Sequence, residues 1–82
     1  MIKKNKLNIA IVGLGNIGSY LYKYLKNNKE ILSKKNNCIP NVIFVSAKNR
    51  NKKRYIKINK KKWLRNYLDA TKSEEVDIII EL

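Results

Sequence analysis

Three glycines follow a short apolar run near the start of the chain, at positions 13, 15 and 18. The run before them, residues 7–12, is rich in β-branched side chains and too short for a helix, so it predicts a strand buried on both faces. After the glycines the apolar period changes to that of a helix, which we expect to begin near Asn16. A strand, the spacing G-x-G-x-x-G and a helix, in this order, are typical of a dinucleotide-binding fold.

Each glycine of the motif has its own physical reason. Gly13 allows a sharp turn off the strand, Gly15 allows bare backbone to approach a pyrophosphate, and Gly18 allows the helix to pack close to the strand. The first turn of a helix has amides without internal partners and carries the positive end of the helix dipole. The motif therefore predicts a phosphate site made of backbone N–H groups.

The segment after the motif predicts one βαβ unit. A helix from about Asn16 to about Lys34 should end at Asn36 and Asn37, with an apolar stripe against the sheet formed by Ile17, Leu21, Leu25 and Leu32. Residues 42–45 follow as a second buried strand. Such crossovers are right-handed, so the second strand should run parallel to the first, and the first should lie in the centre of the sheet.

Basic side chains follow the second strand where an acidic one is usual. The carboxyl end of this strand should emerge beside the glycine motif, which places residues 46–50 next to the ligand. In an NAD site a carboxylate here binds the adenosine ribose, whereas a cation accommodates the 2′-phosphate of NADP. This chain offers Lys48 and Arg50 and no carboxylate. We therefore expect NADP to be preferred, with NAD as the possible alternative.

The remaining residues complete half of a larger fold. Residues 48–62 contain nine basic residues in fifteen and predict a loop or irregular edge strand. Residues 76–82 predict a third strand. Between them a helix should cover the sheet with one face, made of Trp63, Leu64, Tyr67, Leu68 and Thr71. The predicted fold class is α/β, a Rossmann-type parallel sheet with only the first β-α-β-α-β half, and residues 1–82 form one truncated NAD(P)-binding domain.

Composition limits the other classes of function. The net charge of +13 suggests an anionic partner, but the chain also holds 12 Asn and 12 Ile beside 16 Lys, a combination expected from a codon bias towards A and T. The basic run with occasional aromatics is too unspecific to indicate nucleic acid. One cysteine, no apolar run of membrane-spanning length and no export segment favour a cytoplasmic protein without membrane attachment. No histidine, metal-ligand cluster or catalytic constellation is present.

Four stretches together resemble the N-terminal part of homoserine dehydrogenase. They are the stretch I-V-G-L-G-N-I-G at residues 11–18, the stretch N-K-E-I-L at 28–32, the stretch V-S-A-K-N-R at 45–50 and the close D-I-I-I-E-L at 77–82. The resemblance covers nearly all 82 residues. The family's closing strand leads into a Gly-Gly turn that this sequence does not contain, and many members have Thr in place of Asn16.

The resemblance implies an oxidoreductase that reduces aspartate 4-semialdehyde to homoserine with NADPH or NADH, in threonine and methionine biosynthesis. Its catalytic Lys and acidic residues would lie beyond residue 82, with the small amino-acid substrate, so this chain alone should be inactive; the complete protein is expected to be a homo-oligomer. The cofactor-binding residues are expected to be Gly13, Leu14, Gly15, Asn16, Ile17, Gly18, Lys48 and Arg50. A basic nucleic-acid-binding module and a non-catalytic nucleotide sensor remain alternatives, although a nucleic-acid module has no need of the three glycines.

Overall fold

The computed structural model describes residues 5–49, 54 and 56–82 of the chain. Within these residues there are three strands and three α-helices, with a short 3₁₀ helix at Lys60–Lys62. The bounds of the strands and helices are β1 Asn5–Val12, α1 Asn16–Asn27, α2 Lys29–Asn36, β2 Cys38–Ser46, α3 Asp69–Lys72 and β3 Ile78–Glu81.

The three strands form one parallel sheet in the order β2-β1-β3. The predicted parallel pairing and the central position of β1 are confirmed, as is the Rossmann-type α/β fold class. The chain order of the strands reverses at β1, because β3 lies on the opposite side of β1 from β2. Ligands of open α/β sheets bind outside the carboxyl ends of the strands at such a reversal. The sheet topology therefore points to the end of β1, where the glycine motif begins.

The core lies between the sheet and α1. Its buried members are Ile9 and Ile11 of β1, Val42 and Val45 of β2, and Leu14 and Tyr22 beside them. Partly buried side chains pack against this cluster, including Leu21, Leu25, Trp63 and Ile80. A chain of about this size buries only ~60% of its unfolded surface, so its core is small. This core lies where β1, β2 and α1 meet, and the glycine motif joins β1 to α1.

The predicted single helix from Asn16 to Lys34 is wrong in one respect, because the structure divides it at Asn28. The Asn28 side chain donates to the carbonyl oxygen of Tyr24 at 2.9 Å, and its backbone leaves helical geometry with φ −110° and ψ 18°. Asparagine favours helix ends because its side chain competes for backbone partners in this way. The end at Asn36 is as predicted, and Asn37 adopts a left-handed conformation with φ 51°.

Ile17 was expected on the face of the helix that packs on the sheet, and this is also wrong. Its side chain is 73% exposed, whereas Tyr22 is 5% exposed and belongs to the core. Ile17 lies in the first turn of α1, beyond the carboxyl end of β1, so no part of the sheet reaches it. Tyr20 and Tyr24 are exposed and stack on each other with ring centroids 6.3 Å apart.

The predicted helix across residues 63–71 is reduced to the four residues of α3. Trp63 instead forms a parallel bridge with Val45, and the Leu64 amide donates to the Val45 carbonyl oxygen at 2.9 Å. Trp63 and Leu64 thus pair with the edge of β2. This pairing supplies hydrogen-bond partners to backbone groups of β2 that a helix across residues 63–71 would leave without them. Tyr67 and Leu68, expected on the covering face, are 52% and 46% exposed.

The third strand is shorter than predicted and only partly covered. Ile78 and Ile79 are 41% and 38% exposed. A polar connection near the start of β3 fixes it to the centre of the sheet: the Asn8 amide donates to the Asp77 carboxylate at 2.8 Å, and the Asp77 amide donates to the Asn8 carbonyl oxygen at 2.8 Å. The register of β3 on β1 therefore depends on this pair as well as on apolar contact.

Candidate functional site

The segment from Gly13 to Gly18, which we call the glycine loop although its last three residues begin α1, lies at the carboxyl ends of all three strands. The amides of Gly13 and Leu14 both donate to the carbonyl oxygen of Ser46, the last residue of β2, at 3.0 Å each. The amide of Leu82, which follows β3, donates to the Val12 carbonyl oxygen at 2.9 Å. The three strand ends are thus hydrogen-bonded around the loop, which fixes its position before any ligand binds.

The three glycines have different surroundings. Gly13 has φ +96°, and a Cβ built on it would lie 2.5 Å from the Leu82 carbonyl oxygen. A Cβ on Gly18 would lie 2.6 Å from the Gly13 carbonyl oxygen, which explains the close approach of α1 to the strand. A Cβ on Gly15 would meet no atom within 4 Å. Only at Gly15 does the missing side chain leave open space, which is the space that a ligand's phosphate needs.

The start of α1 presents unpaired donors beside that space. The first helical bond runs from the Ser19 amide to the Gly15 carbonyl oxygen at 2.8 Å, so the amides of Asn16, Ile17 and Gly18 precede it. No side chain caps this end of α1, and its first turn contains no acidic residue. Amides without helical partners, at the positive end of the helix dipole, form a site suited to an anion.

The predicted loop residues divide into buried and exposed members. Leu14 is 0% exposed and belongs to the core, and its carbonyl oxygen accepts a hydrogen bond from Arg54 Nε at 3.0 Å. The Leu14 amide donates to the Ser46 carbonyl oxygen, so both backbone groups of Leu14 have partners within the protein, and its side chain is buried. Gly15, Asn16 and Ile17 are exposed at the rim. The cofactor-binding role of these residues stays a prediction.

Two adjacent hollows open beside the loop, with volumes of about 330 and 540 Å³. Four residues line both hollows, namely Gly13, Ala47, Lys48 and Leu82. Lys48 follows β2 and is exposed, so the structure brings this predicted residue to the same place as the glycine loop. Each hollow has the size of an ordinary small-molecule site, which is about 300–1,000 Å³.

Arg50, the second basic residue predicted at this place, lies outside the described residues. Two other arginines line the hollows, Arg54 the smaller one and Arg65 the larger one. Arg54 donates to the carbonyl oxygens of Leu14 at 3.0 Å and Asn49 at 2.9 Å, and its guanidinium lies 5.3 Å from the ring centroid of Trp63. Sequence reasoning did not single out either arginine, because the many basic residues of this segment look alike without the fold.

The described residues contain no group of three or more His, Cys, Asp or Glu side chains that could hold a metal ion. Within the same ranges, no helix is long and apolar enough to cross a membrane.

Comparison with known proteins connects this geometry to one enzyme. No family model matches the chain, and the curated proteins contain no match to it. Among solved structures, a crystal structure of S. aureus homoserine dehydrogenase at pH 7.5 matches 94% of the chain with a TM-score of 0.83 and 27% identity. A second structure of that enzyme, at pH 8.5, matches 96% of the chain with a TM-score of 0.83 and 26% identity.

The chain spans about a fifth of the length of these structures, 20% in each of the two comparisons. The match nevertheless extends over nearly all of this chain, 94% in one comparison and 96% in the other. The predicted resemblance is therefore confirmed: this chain is similar in fold and in sequence to homoserine dehydrogenase.

Proposed function

We propose that residues 1–82 form the N-terminal part of the NAD(P)-binding domain of a homoserine dehydrogenase, the enzyme that reduces aspartate 4-semialdehyde to homoserine in threonine and methionine biosynthesis. The observation that carries this proposal is the open space at Gly15 beside the unpaired amides of α1, at the end of the central strand. The likeness to S. aureus homoserine dehydrogenase supports it. A nucleic-acid-binding module has no use for this arrangement, so that alternative is not favoured.

The residues of the site fit a nicotinamide dinucleotide. The amides of Asn16, Ile17 and Gly18 would bind the pyrophosphate, and Gly15 would admit it. The adenosine ribose would lie towards Lys48, which lines both hollows. When bound, the nicotinamide ring supplies the hydride for the reduction.

The other parts of the reaction are proposed for the rest of the enzyme. The small amino-acid substrate and the catalytic residues would be held by segments that the S. aureus structures contain in addition to the matched fifth. We propose that the complete protein is a cytoplasmic homo-oligomer. The 82-residue chain alone should not oxidise homoserine, and measurable turnover by the purified chain would contradict this.

Gly15→Val tests the proposed cofactor site in the complete protein. A valine side chain would fill the space of the pyrophosphate, and we expect the dinucleotide affinity measured by calorimetry to fall by roughly tenfold or more, which is about 1.4 kcal/mol. The folded chain should tolerate the change, because no atom lies within 4 Å of the new Cβ. Gly15→Ala is the matched control and should weaken binding less. Unchanged affinity in the valine variant would refute the proposed pyrophosphate site.

The choice of NADP over NAD is a second test of the same proposal. Lys48 and Arg50 follow β2, where a cation recognises a 2′-phosphate. Because a charge-assisted hydrogen bond contributes roughly 1.5–3 kcal/mol, Arg50→Ala should weaken NADP binding by about ten- to a hundredfold and leave NAD binding nearly unchanged. Lys35→Ala is the matched control: it removes one positive charge from an exposed side chain in the last turn of α2 and should change neither the NADP nor the NAD affinity. Equal weakening of both cofactors by Arg50→Ala would show that Arg50 does not recognise the 2′-phosphate.

A further inference from the structure

A second cavity, of about 290 Å³, lies away from the glycine loop. It is bounded by the end of α1, the start of α2, the first half of β2 and the segment before Trp63. The lining residues are Tyr22, Leu25, Lys26, Lys29, Pro40, Asn41, Val42, Lys57, Asn59 and Lys62. None of these residues lines either hollow at the glycine loop. This cavity, which we call the lysine cavity, is therefore separate from the proposed dinucleotide site.

Four of the lining residues are lysines from different parts of the fold, and none of the described lining residues is acidic. Lys26 belongs to the last turn of α1, and Lys29 is the first residue of α2. A cation at the start of a helix faces the positive end of the helix dipole, so the charge of Lys29 does not stabilise α2. Four like charges around one cavity repel each other, and a bound anion would relieve that repulsion.

The floor of the lysine cavity is part of the hydrophobic core. Tyr22 and Val42 are core residues, 5% and 8% exposed. The Lys62 ammonium lies 5.7 Å from the Tyr22 ring centroid, a cation–π distance that holds the lysine over this floor. Lys62 is thus positioned by the core, unlike a lysine on an exposed helix face.

An asparagine adds a neutral donor to the wall. The Asn59 side-chain oxygen accepts the Lys61 amide at 3.0 Å, and its side-chain NH₂ can donate to a ligand. An NH₂ group donates hydrogen bonds and accepts none. Four lysine side chains and this asparagine line one cavity, and their ammonium and amide N–H groups are donors that suit an acceptor with several negative charges.

From this donor set we propose that the lysine cavity binds a small anion carrying two or more phosphate groups. A volume of about 290 Å³ lies at the lower end of the size of small-molecule sites, which is roughly 300–1,000 Å³. The site is distinct from the glycine loop in its chemistry, because it uses side-chain ammonium groups in place of backbone amides.

The test uses inorganic triphosphate, titrated by calorimetry into the 82-residue chain carrying Gly15→Val, which blocks the glycine loop. One comparison variant replaces Lys26, Lys29, Lys57 and Lys62 by Gln. The matched control replaces four described, exposed lysines outside the cavity by Gln, namely Lys6, Lys34, Lys35 and Lys72. Both variants lose the same net charge, so non-specific attraction weakens equally in both.

We expect triphosphate affinity to fall about tenfold or more in the cavity variant and less than about twofold in the control. In the chain without lysine substitutions, triphosphate should also slow the chemical acetylation of the four cavity lysines relative to the four control lysines. Absence of binding, equal weakening in both variants or uniform protection of all eight lysines would overturn the proposal. Tighter binding of single-stranded DNA than of triphosphate, weakened equally in both variants, would overturn it in favour of a general basic surface.

Discussion

Gly13, Gly15 and Gly18 differ in what a side chain would meet, and this difference separates folding from binding at the residue scale. Backbone oxygens lie 2.5 Å and 2.6 Å from the Cβ positions of Gly13 and Gly18. These backbone atoms cannot move away at small cost, because the Leu82 amide donates to the Val12 carbonyl oxygen and the Gly13 carbonyl oxygen accepts the Gly15 amide, whereas the space at Gly15 is open. Gly13 and Gly18 are therefore needed for the fold of the loop, and Gly15 is the position where binding can be altered alone.

Substitution of each glycine by alanine should separate these roles. Gly18→Ala would gain about 1 kcal/mol from helix propensity if the site had room, but the clash with the Gly13 carbonyl oxygen should reverse the sign. We expect Gly13→Ala and Gly18→Ala each to lower the free energy of unfolding by about 2 kcal/mol or more, and Gly15→Ala to change it by less than about 1 kcal/mol. Urea unfolding measures all three variants. Stability unchanged in Gly18→Ala would show that the packing of α1 against Gly13 is looser than described.

Arg54 contributes to the site by positioning other groups. It joins the Leu14 carbonyl oxygen of the glycine loop to the Asn49 carbonyl oxygen after β2, and it packs on Trp63. The guanidinium suits this because its planar fork donates in several directions at once. Nothing in the sequence pattern distinguishes Arg54 from its basic neighbours, so only the three-dimensional placement assigns it this role.

At the scale of elements, local signals explain why some parts of the fold were predictable. Two of the predicted strands, at residues 7–12 and 42–45, are apolar runs with clear boundaries, and the glycines form the boundary of the first. Both strands are present. At the division the Asn28 side chain and the Asn28 amide both donate to the Tyr24 carbonyl oxygen, an end that periodicity does not detect. Residues 63–71 have helical spacing, but the edge of β2 offers Trp63 and Leu64 backbone partners. Tertiary pairing there prevails over a weak local preference.

The register of β3 on β1 was not predictable from its apolar run, because several registers would bury similar side chains. The bond between the Asp77 carboxylate and the Asn8 amide, 2.8 Å long, selects the observed register. Asp77→Ala should therefore lower the free energy of unfolding by about 1 kcal/mol, a reduced value because the pair is exposed to solvent. Asp77→Asn, which keeps an acceptor oxygen, should lose less.

Hydrogen exchange of the β3 amides provides the measurement for this prediction. Their exchange should become faster in Asp77→Ala than in Asp77→Asn, while the β2 amides change little. Equal exchange of β3 in both variants would show that apolar contact alone sets the register.

At the scale of the whole molecule, the net charge of +13 does not identify a partner by itself. Part of that charge is clustered at two places in the structure. Lys48, Arg54 and Arg65 lie at the hollows beside the glycine loop, and four lysines line the separate lysine cavity. Other lysines, such as those in the last turn of α2, are exposed. The composition of the chain is thus compatible with codon bias as the source of many lysines and with a binding role for a few.

The amide NMR spectrum of the 82-residue chain during titration with NADP tests the central claim most directly. If the start of α1 binds the pyrophosphate, the amide resonances of Asn16, Ile17 and Gly18 should shift together with those at Lys48, and these shifts should be absent in Gly15→Val. The amides of Gly13 and Leu14, already bonded to Ser46, should shift less. Shifts confined to residues around the lysine cavity, or no shifts at all, would contradict the account.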